Sequence, residues 1–241
     1  MTTLIDWCDE TLNPQGWGCW GPGGKPEAPR RCWYCYLHRL VRWPGSDCEL
    51  CQQLIPHWHE ERLEQPLRWR RPRRIFWQST GDLFHPCTPT WQIAMVIGRT
   101  VMHTPQHTHI FCTKNPARYQ EFPWPKNVIL LTTVTKQEDD WRIAELLKAD
   151  CRVRGVSAEP LFGSLSLRTY FNSFQSMPWP TKAYPKIHWL IIGALTGKRS
   201  RKHKPDPAWV QSLIDQGRAA GVPVFLKDNL KWPERIQEFP G

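Results

Sequence analysis

The chain is short of negative charge. Its 241 residues carry 22 Asp and Glu against 32 Lys and Arg, a formal net charge of +10. A polyanionic partner is therefore favoured, because lysine and arginine neutralise phosphates. Long apolar runs are also missing. "NVILL" and "HWLIIGAL" are among the longest. Both are far too short to cross a bilayer, so no membrane partner is expected, and both suit buried strands. The first residues, "MTTLIDWCDE", have neither a basic start nor an apolar run. That is unlike a secretory signal and points to a reducing cytoplasm. No internal repeat or low-complexity tract stands out. The length suits one large domain or two small ones.

Tryptophan and cysteine are plentiful by contrast, at fifteen and nine residues. Aromatic faces stack on bases, so a basic, tryptophan-rich chain favours nucleic acid further. The cations cluster in "RWRRPRR" (68–74) and "GKRSRKHK" (197–204). Nine is an odd number of cysteines. In a reducing compartment, CxxC pairs point to metal or redox chemistry before disulfides.

From residue 73 onward a short β-branched or aromatic run alternates with an amphipathic stretch. The runs are "RIFWQST", "HIFCTK", "NVILLTTVT", "RVRGVSAEP", "HWLIIGALTG" and "VPVFLKD". Near-continuous apolar runs are the pattern of strands covered on both faces. Between them, Thr88 is read as the N-cap of a helix with Pro89 at its first position. Asp206 caps another that starts at Pro207, and Gly221 stops it. This alternation predicts a parallel sheet, as a barrel or a doubly wound sheet. The segment 44–59 breaks the rhythm and reads as an insertion. We expect a single-domain α/β fold, a partial (β/α) barrel of about six or seven parallel strands, preceded by an irregular N-terminal segment.

The cysteines allow two groupings. Cys32-x2-Cys35-x12-Cys48-x2-Cys51 has the count and spacing of a four-cysteine zinc site. It leaves Cys19 and the glycine-rich lead-in "GCWGPGGKPEAPRR" unexplained. The second grouping takes Cys19, Cys32 and Cys35. Three thiolates can bind three irons of a [4Fe–4S] cluster and leave the fourth open. Cys48 and Cys51 would then hold a separate metal or fold the insertion, with His57 as a helper.

The ordered motifs "NPQGWGC…CWYCY", "HEERLEQPLRWRRPRRIFWQSTGDLFHP", "TPQHTHIFCTKNPARY", "VSAEPLFG", "IIGALTG" and "AAGVPVFLKDNL" run from about Asn13 to Leu230. In this set the chain resembles the phage Gp37/Gp68 family, a radical-SAM-like group with distant similarity to spore photoproduct lyase. The resemblance implies a cluster on Cys19, Cys32 and Cys35 that binds S-adenosylmethionine, cleaves it reductively and uses an electron donor. The aromatic Tyr34 before the last cysteine fits such a loop. Twelve residues separate Cys19 from Cys32, a wider gap than the usual radical-SAM triad.

The resemblance also implies roles at the strand ends. Ser79, Thr80, Gly81 and Asp82 would meet the ammonium of the methionine moiety. Thr133 and Ser157 would lie where the ribose hydroxyls and the carboxylate sit. Glu159 would be a functional carboxylate or the partner of an arginine such as Arg154. Gly193, Ala194 and Thr196 would meet adenine. Lys114 and Lys227 follow strands and would point at the barrel mouth, toward the carboxylate of S-adenosylmethionine or an anionic substrate. Lys198, Arg199, Arg201 and Lys204 would contact the phosphates of a nucleic-acid or nucleotide substrate, with a peptide as the second choice. Arg70, Arg71, Arg73 and Arg74 would lie at the opposite end. Cys87 and Cys112 are candidate hydrogen-atom donors, and His85, His107 and His109 read as ordinary polar residues. The rival from another class is a zinc-stabilised nucleic-acid-binding protein without catalysis, on Cys32, Cys35, Cys48 and Cys51.

Overall fold

Seven parallel strands form one sheet in chain order: β1 (Glu10–Leu12), β2 (Arg74–Trp77), β3 (Thr108–Thr113), β4 (Val128–Thr133), β5 (Val153–Ala158), β6 (Trp189–Ile192) and β7 (Val224–Leu226). The sheet curls into a half-barrel, the expected partial barrel. The structure is a computed structural model that describes residues 3, 5–37, 47–171, 186–197 and 199–241. Six strands fall within the apolar runs to within a residue. The other, β1, comes from the segment expected to be irregular. Its register, Glu10 on Ile75 and Leu12 on Trp77, is set by β2.

Alternation along the strands makes two cores. Ile75, Trp77, Phe111, Leu130, Val156 and Leu190 pack under the helices α2 (Thr90–Met95) and α5 (Pro207–Ala219). Each fully buried side chain of this kind contributes about 2 kcal/mol. Phe76, Ile110, Leu131, Trp189, Ile191 and Phe225 fill the other face together with Trp7. The Trp7 ring lies 6.2 Å from that of Trp189, and the Asp228 amide donates to the Asp6 carboxylate at 2.9 Å. The N-terminal segment thus reaches from β1 to the far edge of the sheet. Trp7 and Cys8 pack with the second core.

Two helix starts show how caps are chosen. Asp206 caps α5 as expected, its carboxylate accepting from the Ala208 amide at 2.8 Å. The Thr88 reading is corrected. The α2 helix begins at Thr90 behind Pro89, and the Thr88 hydroxyl instead accepts from Gln15 Nε2 at 2.9 Å. A polar side chain from a distant loop outcompeted the local cap. Beyond α2 the backbone widens into a π turn at Val96–Thr100. The other helices are α1 (Glu49–Gln52), α3 (Trp141–Leu147) and α4 (Arg168–Phe171).

Candidate metal centres and the barrel mouth

The segment after β1 crosses the carboxyl end of the sheet and is tied there by the β2 loop. Asn13 Oδ1 accepts from the Ser79 hydroxyl at 3.1 Å and from the Thr80 amide at 3.0 Å. The Thr80 hydroxyl donates to the Gly16 carbonyl at 2.9 Å, and the Gly18 amide donates to the Thr80 carbonyl at 3.0 Å. A Cβ on Gly81 would lie 2.5 Å from the Gly18 carbonyl oxygen. The close backbone approach that Gly81 permits is therefore to the cysteine segment itself. Asp82 is equally occupied. Its oxygens accept from the Phe84 and Lys114 amides, the Thr113 hydroxyl and Asn115 Nδ2 at 2.6–3.1 Å. It splices the ends of β2 and β3.

The cysteines are not joined in disulfides. Cys19 Sγ accepts from the Gly21 amide at 3.2 Å, and the Cys35 amide closes a turn onto the Cys32 carbonyl at 2.9 Å. Burial pushes the Cys19 thiol up to about 12; Asp82 and Cys35 add to this and Lys114 opposes it. Burial also raises Cys35, and neighbouring Cys32 raises it further. Lys114 is the group common to the three: it acts on Cys19 and Cys35, and Cys32 acts on it. Burial works against the Lys114 ammonium. Tyr34, Cys32, Asp82 and Cys112 outweigh it and hold this lysine charged above its usual range. Lys114 Nζ stands 5.9 Å from the Tyr34 ring centroid. As free thiols Cys19 and Cys35 resist ionisation, so a bound metal would have to displace their protons. Three cysteines on one loop match a three-thiolate cluster in donor type and number.

Across the mouth, Lys227 Nζ donates to Glu159 Oε1 at 2.6 Å, with both side chains largely buried. Arg154 is not the partner, since its guanidinium donates to the Ala149 carbonyl. A Cβ on Gly193 would come within 2.8 Å of Glu159 Cδ and 3.0 Å of Lys227 Cδ. The glycine leaves room for the ion pair. The Ala194 backbone is bonded to a side chain: Asn229 accepts from its amide at 3.0 Å and donates to its carbonyl at 2.7 Å. Thr133 and Ser157 are buried at the ends of β4 and β5, and the Thr133 hydroxyl lies 3.5 Å from Cys112 Sγ.

Cys48, Cys51, His57 and His59 form a second centre, with ligand atoms all within 4.8 Å of one another. Among the described residues it is the one such group of His, Cys, Asp and Glu that could hold a metal ion. This corrects the four-cysteine reading, because the partners of Cys48 and Cys51 are two histidines rather than Cys32 and Cys35. The α1 turn between the cysteines buries Cys51. His57 Nε2 lies 3.0 Å from Cys48 Sγ and 3.6 Å from Cys51 Sγ; His59 Nε2 lies 3.5 Å from Cys51 Sγ. His57 was legible as a helper. His59 was missed, although Cys-x2-Cys-x5-His-x-His could have been read from the chain.

The basic cluster 197–204 lies beside the cysteine turn, with Lys198 outside the described residues. Arg199 donates to the Trp33 carbonyl at 3.0 Å, and His203 packs on the Trp33 ring at 4.9 Å. Trp33, Arg199, Lys202 and His203 line an open groove of about 500 Å³. Arg201 and Lys204 are exposed next to it. The other cluster is partly neutralised, with Arg73 paired to Glu10 and Arg74 to Asp9. His85, His107 and His109 are buried and hydrogen-bonded within the protein.

No helix among the described residues is long and apolar enough to cross a membrane. No curated protein and no solved structure matches the chain. A family model matches residues 2–238, and the chain belongs to that family, described as "Protein of unknown function (DUF5131)".

Proposed function

We propose that this chain is a radical-SAM enzyme whose cluster ligands are Cys19, Cys32 and Cys35. One observation supports the reading: the loop that carries three cysteines lies over the carboxyl ends of parallel strands, with Gly18 tied to Thr80 after β2 and Tyr34 beside Lys114 after β3. That is where sheets of this kind place their chemistry. When bound, a [4Fe–4S] cluster with an open iron supplies one electron to the sulfonium of S-adenosylmethionine. The protein's own part is positioning. Lys114 brings positive charge to the thiolates, and Tyr34 walls the turn. Glu159 and Lys227 face the mouth as an orienting pair for a zwitterionic amino acid. A polyanionic substrate, nucleic acid or nucleotide, would enter along Trp33 and Arg199.

Anaerobic purification and reconstitution test this. Iron and acid-labile sulfide should be present in the intact protein. They should fall to background in Cys19→Ala, Cys32→Ala and Cys35→Ala, together with reductive cleavage of S-adenosylmethionine. A full iron complement in Cys19→Ala would defeat the assignment. The second reading, a zinc-stabilised nucleic-acid-binding protein without catalysis, is favoured by the Cys48, Cys51, His57, His59 group. Colourless protein with zinc and no iron after reconstitution would select it.

A further inference from the structure

We infer that Cys48, Cys51, His57 and His59 bind one zinc ion, and that this ion clamps the backbone on which Cys19 is held. The inference does not rest on the cluster. It begins with the protons on the two imidazoles. His57 Nδ1 lies 2.7 Å from the Ile55 carbonyl oxygen, an acceptor, so this nitrogen carries the ring proton. His59 Nδ1 lies 2.8 Å from Glu61 Oε1, also an acceptor. Each ring therefore turns a lone pair outward at Nε2, and those two atoms face one another at 2.7 Å. Two lone pairs and two sulfurs converge on one point, an arrangement that a shared cation satisfies. A carbonyl and a carboxylate behind the rings are the outer partners that ligating histidines use to fix tautomer and basicity.

The donor set selects the ion. Two thiolates with two imidazoles suit zinc, which accepts both ligand types in a closed tetrahedron. Ligand atoms around such an ion are separated by about 3.3–3.8 Å, from bonds of roughly 2.0 Å to nitrogen and 2.3 Å to sulfur. The Cys51 contacts, at 3.5 and 3.6 Å, fall within that range; Cys48 to His57 at 3.0 Å and His57 to His59 at 2.7 Å are shorter, so the two rings would move apart as the ion enters.

The clamp follows from what the centre touches. The His57 amide donates to the Gln15 carbonyl at 3.2 Å and the His59 amide to the Pro14 carbonyl at 2.7 Å. The Trp17 amide donates to Cys51 Sγ at 3.4 Å. Arg31 joins the two loops, donating to the Leu54 carbonyl at 2.9 Å and the Cys19 carbonyl at 3.2 Å. A Cβ on Gly16 would lie 2.4 Å from His57 Cε1, and one on Gly18 would lie 2.6 Å from the Leu54 carbonyl. The glycines of "NPQGWGC" let the segment lie flat on the metal loop. The stretch read as an insertion is thus a backing plate for Cys19.

Full-length reduced protein tests both parts. The Cys19→Ser/Cys32→Ser/Cys35→Ser variant should retain one zinc per chain, and Cys48→Ser/Cys51→Ser should lose it. Cobalt(II) added to chelated wild-type protein should show thiolate charge transfer and tetrahedral ligand-field bands. Loss of zinc from the triple variant, or cobalt bands without thiolate character, overturns the site. For the clamp, maleimide modification of Cys19 is followed by mass spectrometry in iron-free wild-type protein, which needs no substitution. Chelation should raise its rate about tenfold or more by releasing local structure, and added zinc should restore protection. An unchanged rate overturns the clamp. Absence of iron from reconstituted protein would refute the cluster reading and leave this one standing.

Discussion

The Glu159–Lys227 pair shows how few atoms decide the shape of the mouth. Its charges are 20% and 12% exposed, so the pair is held mostly away from water. Breaking such a pair leaves one charge uncompensated and costs about 3–5 kcal/mol at full burial, and somewhat less here. We expect Lys227→Met to lower stability by roughly 3 kcal/mol. The Glu159→Leu/Lys227→Met double variant should recover most of that loss. Urea unfolding of the four proteins gives the coupling, and additive losses would show that the pair is not coupled. Gly193→Ala should destabilise by about 1–3 kcal/mol, because the added methyl overlaps both side chains. Loss of cluster assembly without loss of stability in Gly193→Ala would instead mean that the glycine faces a ligand.

At the scale of elements, the caps give a clean comparison. Asp206→Ala removes the side-chain acceptor for the Ala208 amide at the start of α5 and should cost about 1 kcal/mol. Thr88→Ala should act differently. Its hydroxyl serves Gln15, whose Nε2 also donates to Gln92 Oε1 at 2.9 Å, so the loss falls on the cysteine segment rather than on α2. Thermal unfolding should show Asp206→Ala shifted. Hydrogen exchange should show Thr88→Ala loosened between residues 13 and 19. Equal exchange in the two variants would contradict this assignment.

The same scale shows what the chain revealed unaided. Strands β2 to β7 were legible because both their faces are covered, so they read as unbroken apolar runs. The three residues of β1, "ETL", carry no such pattern, and their pairing with β2 supplies the strand. Cys48 and Cys51 were legible as a metal pair by their spacing. Their two histidines were not fully so, because a zinc ligand set depends on which loop folds back, and the Cys32–Cys35 turn competes for the same pattern. The surroundings of Asp82 and Ala194 were not legible for a different reason. Their polar atoms are taken by Lys114, Asn115 and Asn229, partners 30 or more residues away that no local motif announces.

For the whole molecule, the distribution of charge matters more than its sum. Arg73 and Arg74 are paired to Glu10 and Asp9 where β2 begins. Arg199, Arg201, Lys202 and Lys204 stand beside the mouth around an exposed tryptophan. Reversing Lys198, Arg199, Arg201 and Lys204 should weaken single-stranded nucleic-acid binding and flatten its salt dependence, by about one unit of slope per lost phosphate contact. Trp33→Ala should weaken binding by about 1–3 kcal/mol per stacked base. Reversing Arg70, Arg71, Arg73 and Arg74 should do less. An equal effect from that second set would make the contact surface diffuse. No binding by the intact protein would remove nucleic acid as the substrate and bring a peptide forward.

The order of the strands in space is their order along the chain. During synthesis each new strand therefore meets a neighbour already made, and the sheet can grow by one edge as the chain emerges. The contacts from Trp7 to Trp189 and from Asp6 to Asp228 cannot form this way. They wait until β6 and β7 have left the ribosome, and long-range contacts of that kind are the slow ones. The three cysteines of the mouth thus leave early, yet the sheet beneath them is completed last. For most of the protein's synthesis, its thiols wait in an unfinished site.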